Sequence, residues 1–180
     1  GFGGQGVMLM GQILAYAGMM EGQQVSWFPA YGPEMRGGTA NCSVIIGDEA
    51  VGTPIVTEPQ VVVAMNLPSL DKFEPHLAAG GILLINSSLI ERSAKRSDVK
   101  VLLVPCNDIA KELGNPKVAN MVMVGAIVAA SGVVKIESVL QVLAKKIFKN
   151  KPEVMQLNEH AIRRGMACIN GIGNRLRDTQ

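Results

Sequence analysis

Three short unbroken apolar runs mark the middle of the chain: Gln60–Met65, Ile82–Ile85 and Val99–Val104. Runs of that length without polar alternation fit strands covered on both faces, as in a parallel sheet. Ahead of them, Val7–Glu21 reads as a helix, apolar on most sides and ended by Gly22. Such a helix is buried by its neighbours. Gln24–Phe28 reads as a short strand, and Pro29–Gly38 as a loop rich in turn formers. Thr39–Ile46 alternates: Ala40, Cys42, Val44 and Ile46 share one face of a strand, and Thr39, Asn41 and Ser43 the other. Gly47-Asp48 marks a turn, with a second short strand expected at Ile55–Thr57. Ser69–Leu77 and Asp108–Leu113 read as short helical stretches. Asn115 caps and Pro116 opens a helix that runs to Ser131 and stops at Gly132. Further helices are expected at Ile136–Phe148 and from Pro152 to about Cys168.

Strands alternating with helices predict an α/β fold: a three-layer Rossmann-like domain whose sheet is mostly parallel. The Thr39–Thr57 region brings an antiparallel pairing, so the sheet is expected to be mixed. No internal repeat or low-complexity stretch interrupts residues 1–180, which read as one domain.

Composition narrows the picture. The chain has 180 residues, 48% of them hydrophobic but only 4% aromatic, so its core is built from aliphatic residues and some of the ten Met. A chain of this size buries roughly 70% of its unfolded surface and needs no disulfides to fold. Charged residues make up 18%, below the usual ~25%, which suits a surface partly covered by a partner. The net charge is +2 and Lys and Arg form no single block, so nucleic acid is not indicated as a partner. No apolar run reaches the ~18 residues of a membrane span, and no signal peptide is evident, so a cytoplasmic location is expected. Cys42, Cys106 and Cys168 lie far apart, and His76 and His160 have no paired ligands nearby in sequence. Neither an iron–sulfur cluster nor zinc is expected on this chain, and the three Cys read as buried reduced thiols.

Candidate chemistry gathers at strand ends. Asn66 follows the first apolar run, Asn86-Ser87-Ser88 the second and Pro105-Cys106-Asn107-Asp108 the third. In an open α/β sheet these places share the edge where ligands bind. The opening GFGGQG would join them, with Gly1, Gly3 and Gly6 in G-x-G-x-x-G spacing before a helix. Gly3, Gly4, Gln5 and Gly6 there offer a place for an anion or for a subunit contact. Dinucleotide binding also calls for an acidic residue about 20 positions on. That place falls at Ser26-Trp27-Phe28, where none stands. A tight strand-to-helix turn packed on a neighbour is the favoured reading. Such a turn calls for a strand feeding it, so an apolar, β-branched segment of roughly 6–10 residues is expected ahead of Gly1. The second cluster is Tyr31, Gly32, Glu34, Arg36, Gly37 and Gly38, where an opposed charge pair sits among rigid and small residues. Its Arg suits a phosphate or carboxylate, or the pair suits a subunit boundary. No general base stands beside a nucleophile in any familiar spacing, so no catalytic residue is assigned.

Three stretches carry a resemblance: Gly1–Val7 (GFGGQGV), Tyr31–Asn41 (YGPEMRGGTAN), and Leu113–Met121 (LGNPKVANM) followed by Gly125. In this order they resemble the signatures of the gamma subunit of 2-oxoacid:ferredoxin oxidoreductases, and they cover most of the chain. The resemblance implies an α/β domain packed on an alpha subunit. The parent enzyme cleaves a 2-oxoacid oxidatively with coenzyme A, giving an acyl-CoA and CO₂ and passing electrons to ferredoxin. It further implies that thiamine diphosphate, Mg²⁺, iron–sulfur clusters and CoA belong to the assembled complex. Beta and delta (ferredoxin-like) subunits complete that complex. The Tyr-Gly-Pro-Glu-Met-Arg form is closer to the 2-oxoglutarate or branched-chain types than to the pyruvate type. An indolepyruvate:ferredoxin oxidoreductase subunit and a stand-alone nucleotide-binding domain are the competing readings.

Overall fold

The computed structural model describes residues 1–32, 38–149 and 151–177. The three apolar runs form β3 (Val61–Ala64), β4 (Ile82–Asn86) and β5 (Lys100–Val104), a parallel sheet in that order. One face of this sheet meets the main core. Leu84, Leu102 and Val104 pack there with α4 (Ala119–Ser131), whose residues from Ala119 through Val128 are all buried. The other face carries a smaller core of Val62, Ala64, Leu70, Leu77, Leu83, Ile85 and Ile90. Leu70 comes from α2 (Leu67–Phe73). Helices cover one face, and α2 with residues 87–99 covers the other over β3 and β4, while Val101 and Leu103 of β5 stay 37% and 51% exposed there.

The remaining strands stand apart. β1 (Gln24–Tyr31) and β2 (Ala40–Gly47) pair antiparallel as their own two-stranded sheet. The expected mixed character is present, but as two sheets rather than one. The face of β2 expected to be apolar packs on α1 (Val7–Met20): a Cβ on Gly11 would sit 2.5 Å from the Cys42 sulfur, and one on Gly18 2.9 Å from Ile46. Two glycines two turns apart on one face of the helix thus let the hairpin lie close against it.

Several boundaries depart from expectation. The segment Pro29–Tyr31 belongs to β1, with Pro29 opposite Cys42, not to a loop. Pro lacks a donor, but β1 pairs on one side only, so no ladder bond is lost on the other. The strand expected at Ile55–Thr57 does not form. Pro54 and Pro59 hem it in, Ile55 is 65% exposed, and its N–H bonds the Thr53 hydroxyl instead. α2 starts earlier because Asn66 caps it, its Oδ1 accepting from the Ser69 N–H at 3.1 Å. It then tightens into a 3₁₀ turn at Glu74–His76, beside Pro75. α3 (Cys106–Glu112) likewise begins ahead of Asp108. Asn115 does cap, but what it caps is a 3₁₀ turn, Pro116–Val118, ahead of α4. α5 (Ile136–Val142) continues as a π-turn over Leu143–Ile147, and α6 (Pro152–Arg177) runs past Cys168. Only Cys106 of the three thiols is fully buried; Cys42 and Cys168 are half-buried. Desolvation raises the pKa of all three. None is poised as a thiolate nucleophile.

α4 and α6 cross with their main chains close together. A Cβ on Gly125 would fall 1.9 Å from the Ile162 carbonyl oxygen, and one on Gly165 1.8 Å from that of Val122. No helix of the described residues is long and apolar enough to cross a membrane.

Candidate functional site

The opening turn is held from three directions. On one side Gly1–Gly3 runs beside Gly38–Ala40. Gly1 and Ala40 exchange hydrogen bonds of 3.0 Å, Phe2 bridges Thr39, and Gly3 donates to the Gly38 carbonyl at 3.0 Å. Gly32 closes the same ladder by donating to Thr39 at 2.7 Å. Beneath the turn, the Gln5 side chain folds back. Its Oε1 accepts from the Phe2 N–H at 2.9 Å, and its Nε2 donates to the Met65 carbonyl at 3.0 Å, at the end of β3. On the third side stands Asn120 of α4. A Cβ on Gly6 would lie 2.3 Å from its amide nitrogen, and Gly6 also has φ 74°. Only glycine meets both demands. Gly4 has φ 100°, and among the described residues nothing lies within 4 Å of where its Cβ would stand.

The strand-end residues gather beside this turn, as expected. Asn86, wholly buried, donates to Asn107 Oδ1 at 2.8 Å and leans on the Met65 carbonyl at 3.5 Å. Its own Oδ1 is buried without a partner among the described residues. Ser88 donates to Asp108 Oδ2 at 2.8 Å and accepts from the Asp108 N–H at 3.1 Å. Gln5, Met65, Asn86 and Asn107 thus form one chain of amide contacts along the carboxyl edge of the sheet.

Of the residues singled out in the sequence, Gly3, Gly4, Gln5, Gly6, Gly32 and Gly38 are drawn into this single ladder and turn. Tyr31 is beside it, 71% exposed. Glu34, Arg36 and Gly37 lie outside the described residues. Asn120 was quoted only as a letter of the third stretch. Its signal was there, as the lone polar side chain among the apolar residues at the start of α4. The Asn86–Asn107 pairing, by contrast, needs the fold to be seen, because 21 positions separate them.

Among the described residues, Asp108, bonded to Ser88, is the one charged side chain placed on this edge. No residue in the first turn of α1 is acidic, and glutamine and asparagine supply the polar groups. Among the described residues no three of His, Cys, Asp and Glu gather as a metal site. The dinucleotide reading loses its frame as well. The strand after α1 pairs with β2 and not with the parallel sheet, so α1 is not followed by the parallel strand that a dinucleotide fold places there. What the described part of this arrangement offers is backbone and amide hydrogen bonding from Gln5, Met65, Asn86 and Asn107.

The chain belongs to the pyruvate ferredoxin/flavodoxin oxidoreductase family, whose model matches residues 1–168. Among curated relatives, it is 42% identical over 165 residues to the ketoisovalerate oxidoreductase subunit VorA of Methanothermobacter thermautotrophicus, covering 92% of this chain and 34% of that one. It is 33% identical over 156 residues to the 2-oxoglutarate synthase subunit KorC of Methanocaldococcus jannaschii, covering 85% of this chain and 83% of that one. The chain thus spans about a third of the length of the VorA relatives but most of KorC. Among solved structures, the gamma subunit of a keto/oxoacid ferredoxin oxidoreductase from Geobacter sulfurreducens superposes with TM-score 0.78 at 31% identity, covering 94% of each chain. A 2-oxoglutarate:ferredoxin oxidoreductase from Magnetococcus marinus, solved with 2-oxoglutarate, coenzyme A and succinyl-CoA bound, shares the fold. Its TM-score is 0.88 at 24% identity, over 95% of this chain and 30% of that one.

Proposed function

We propose that residues 1–180 form the single gamma-type domain of a 2-oxoacid:ferredoxin oxidoreductase. The parent enzyme carries out CoA-dependent oxidative decarboxylation of a 2-oxoacid to an acyl-CoA and CO₂, with electrons passed to ferredoxin. The observation that carries this reading is the convergence of all three signature stretches. Gly1–Gly6 pairs with Gly38–Ala40, and Gly6 rests on Asn120, so the residues that carry the resemblance are one physical unit. Relatives named for ketoisovalerate and for 2-oxoglutarate support a branched-chain 2-oxoacid or 2-oxoglutarate, beside gamma subunits named for pyruvate and ketoisovalerate together.

In this reading the chain works as a structural and docking part. Thiamine diphosphate, Mg²⁺, iron–sulfur clusters and CoA serve the assembled complex. The described residues of this chain do not fit a metal or cluster: the Cys stand on β2, α3 and α6, and no acidic ligand set accompanies them. The alpha and beta subunits, with a ferredoxin-like delta subunit, are the partners. Gly3, Gly4, Gln5 and Gly6, with Tyr31, Gly32, Glu34, Arg36, Gly37 and Gly38, form the ligand-facing or alpha-facing edge.

The test is co-expression with the partner subunits and an assay of CoA-dependent ferredoxin reduction. 2-Oxoisovalerate or 2-oxoglutarate should support turnover at least tenfold better than pyruvate or indolepyruvate. An isolated chain that reduces ferredoxin unaided, or a complex that excludes this chain and keeps full activity, would overturn the reading.

A further inference from the structure

A second surface lies at the other end of α1 from the glycine turn. There Tyr16, Met19 and Met20 are exposed at 36%, 59% and 43%. Tyr16 and Met19 join Gln12 and Ala15 of α1 and Val25 and Trp27 of β1 in lining a groove of about 210 Å³. Along one flank stands Lys146, from the lysine-rich segment between α5 and α6. Lys146 places its ammonium 4.7 Å from the centre of the Tyr16 ring. Lys145 precedes it in the π-turn, and Lys149 and Lys151 follow; the segment is closed by Phe148 N–H to the Leu143 carbonyl at 2.8 Å and Lys151 N–H to the Phe148 carbonyl at 3.0 Å. All four lysines are exposed. None makes an ion pair among the described residues; the one polar side-chain partner is Gln141, 3.3 Å from Lys145.

The arrangement is one-sided. In a chain with nearly balanced charge, four exposed lysines fall within seven residues, with Glu153 the nearest acid in sequence, and one of them, Lys146, lies against the furrow. Lysine is otherwise placed to be solvated or paired, and a cluster of like charges repels itself. An acidic partner would remove that repulsion and cover the methionines, which adapt readily to a docked surface. The furrow follows Gln12, Tyr16 and Met19 along two turns of α1, about 10 Å at 1.5 Å per residue. That length matches the i, i+4, i+7 anchors of a short amphipathic helix laid alongside.

We propose that this groove receives an acidic amphipathic helix of a partner chain, apolar face on Tyr16 and Met19, carboxylates toward Lys145, Lys146, Lys149 and Lys151. The inference rests on the reading that the chain works inside a larger enzyme, but on a different surface from the glycine edge. In the purified complex, amine-reactive labelling of these lysines should be at least tenfold slower than that of Lys95 and Lys117 in the same sample. Carbodiimide, which joins an amine to a carboxylate as an amide with loss of water, should link them to Asp or Glu of one helical segment of a partner. The triple variant Lys145→Glu/Lys146→Glu/Lys149→Glu should lose at least tenfold in association at low salt, and Lys145→Arg/Lys146→Arg/Lys149→Arg should keep it. Lysines that label as fast as the controls in an intact, active complex would overturn this inference alone. So would wild-type binding to vesicles containing phosphatidylserine that the Glu variant loses. A chain that never co-purifies with partners would sink this inference together with the functional reading.

Discussion

Gly125 and Gly165 let two helices meet main chain to main chain. Each would press a methyl group to within 2 Å of a carbonyl oxygen across the crossing, at 1.9 Å and 1.8 Å. Neither carbonyl belongs to a flexible side chain, so α4 and α6 would have to part. Overpacking of this kind costs roughly 1–3 kcal/mol and more where backbone must move. Gly171 sits on the same α6 with nothing within 4 Å of its Cβ position among the described residues. There alanine should instead stabilise by about 0.5–1 kcal/mol, since glycine is a poor helix former. Urea unfolding of the two variants separates packing from propensity: Gly165→Ala should lower the midpoint and Gly171→Ala raise it. Equal effects would mean that the crossing relaxes freely. The sequence displays both glycines but not this difference. It depends on which turn of α6 faces α4.

At the scale of elements, the stretch between β4 and β5 poses a question of its own. Residues 87–99 hold no helix or strand, yet Ile90 is buried in the second core. The Glu74 side chain, 3% exposed, organises this stretch by receiving Arg92 at 2.8 Å and the backbone N–H groups of Lys95 and Arg96. Arg92 also reaches Asp71 at 2.8 Å, and Arg96 pairs with Asp98. Burial pushes the Glu74 carboxyl up, but the Arg92 guanidinium and the two N–H donors outweigh it and hold its pKa below the ordinary value. A carboxyl with a lowered folded pKa contributes stability that is present above its unfolded pKa, ~4.3, and lost as pH falls through the folded one. Glu74→Gln should therefore destabilise the chain by roughly 2–4 kcal/mol at neutral pH. It should also flatten the loss of thermal stability between neutral pH and pH ~3, leaving the smaller share carried by exposed Asp71 and Asp98. A variant whose melting temperature falls with acid as steeply as the parent's would refute the clamp. Such a device is hard to read from the chain, because Glu74 reads there as one more charged residue in a short helix. The elements themselves were legible wherever a run was long or capped: α1, the three parallel strands, and α4 with its stop at Gly132. The misses are places where tertiary pairing decided. Pro29–Tyr31 extends a strand because β2 is there to meet it, and Ile55–Thr57 makes none because no strand lies alongside.

At the scale of the whole molecule, the candidate edge was legible as composition and illegible as geometry. Glycine spacing announced the turn, and the polar residues after each strand announced the edge. Nothing in the sequence said that Gly3 would bond Gly38, or that Gly6 would need Asn120 beneath it. That joining bears on the function of Arg36, which stands in the segment between Gly32 and Gly38. Both ends of that segment are fixed on one ladder: Gly32 donates to Thr39, and Gly38 accepts from Gly3. The anchors are backbone bonds, so removing one side chain from the segment leaves them intact. Arg36→Ala should change the chain's own stability by under ~0.5 kcal/mol, as surface substitutions commonly do. In the assembled enzyme the outcome should differ. An arginine in this segment supplies a cation for a carboxylate or phosphate, whether that anion belongs to a ligand or to a neighbouring subunit. Its loss there should lower turnover or subunit association at least tenfold, and Arg36→Lys should recover only part of it, because lysine cannot make the bidentate contact. Size-exclusion chromatography separates the two sources. A complex that stays intact but turns over slowly places the anion on a ligand, and one that falls apart places it on a subunit. An Arg36→Ala complex that assembles and works as the parent does would remove Arg36 from the functional edge, and so would a variant chain that unfolds by itself.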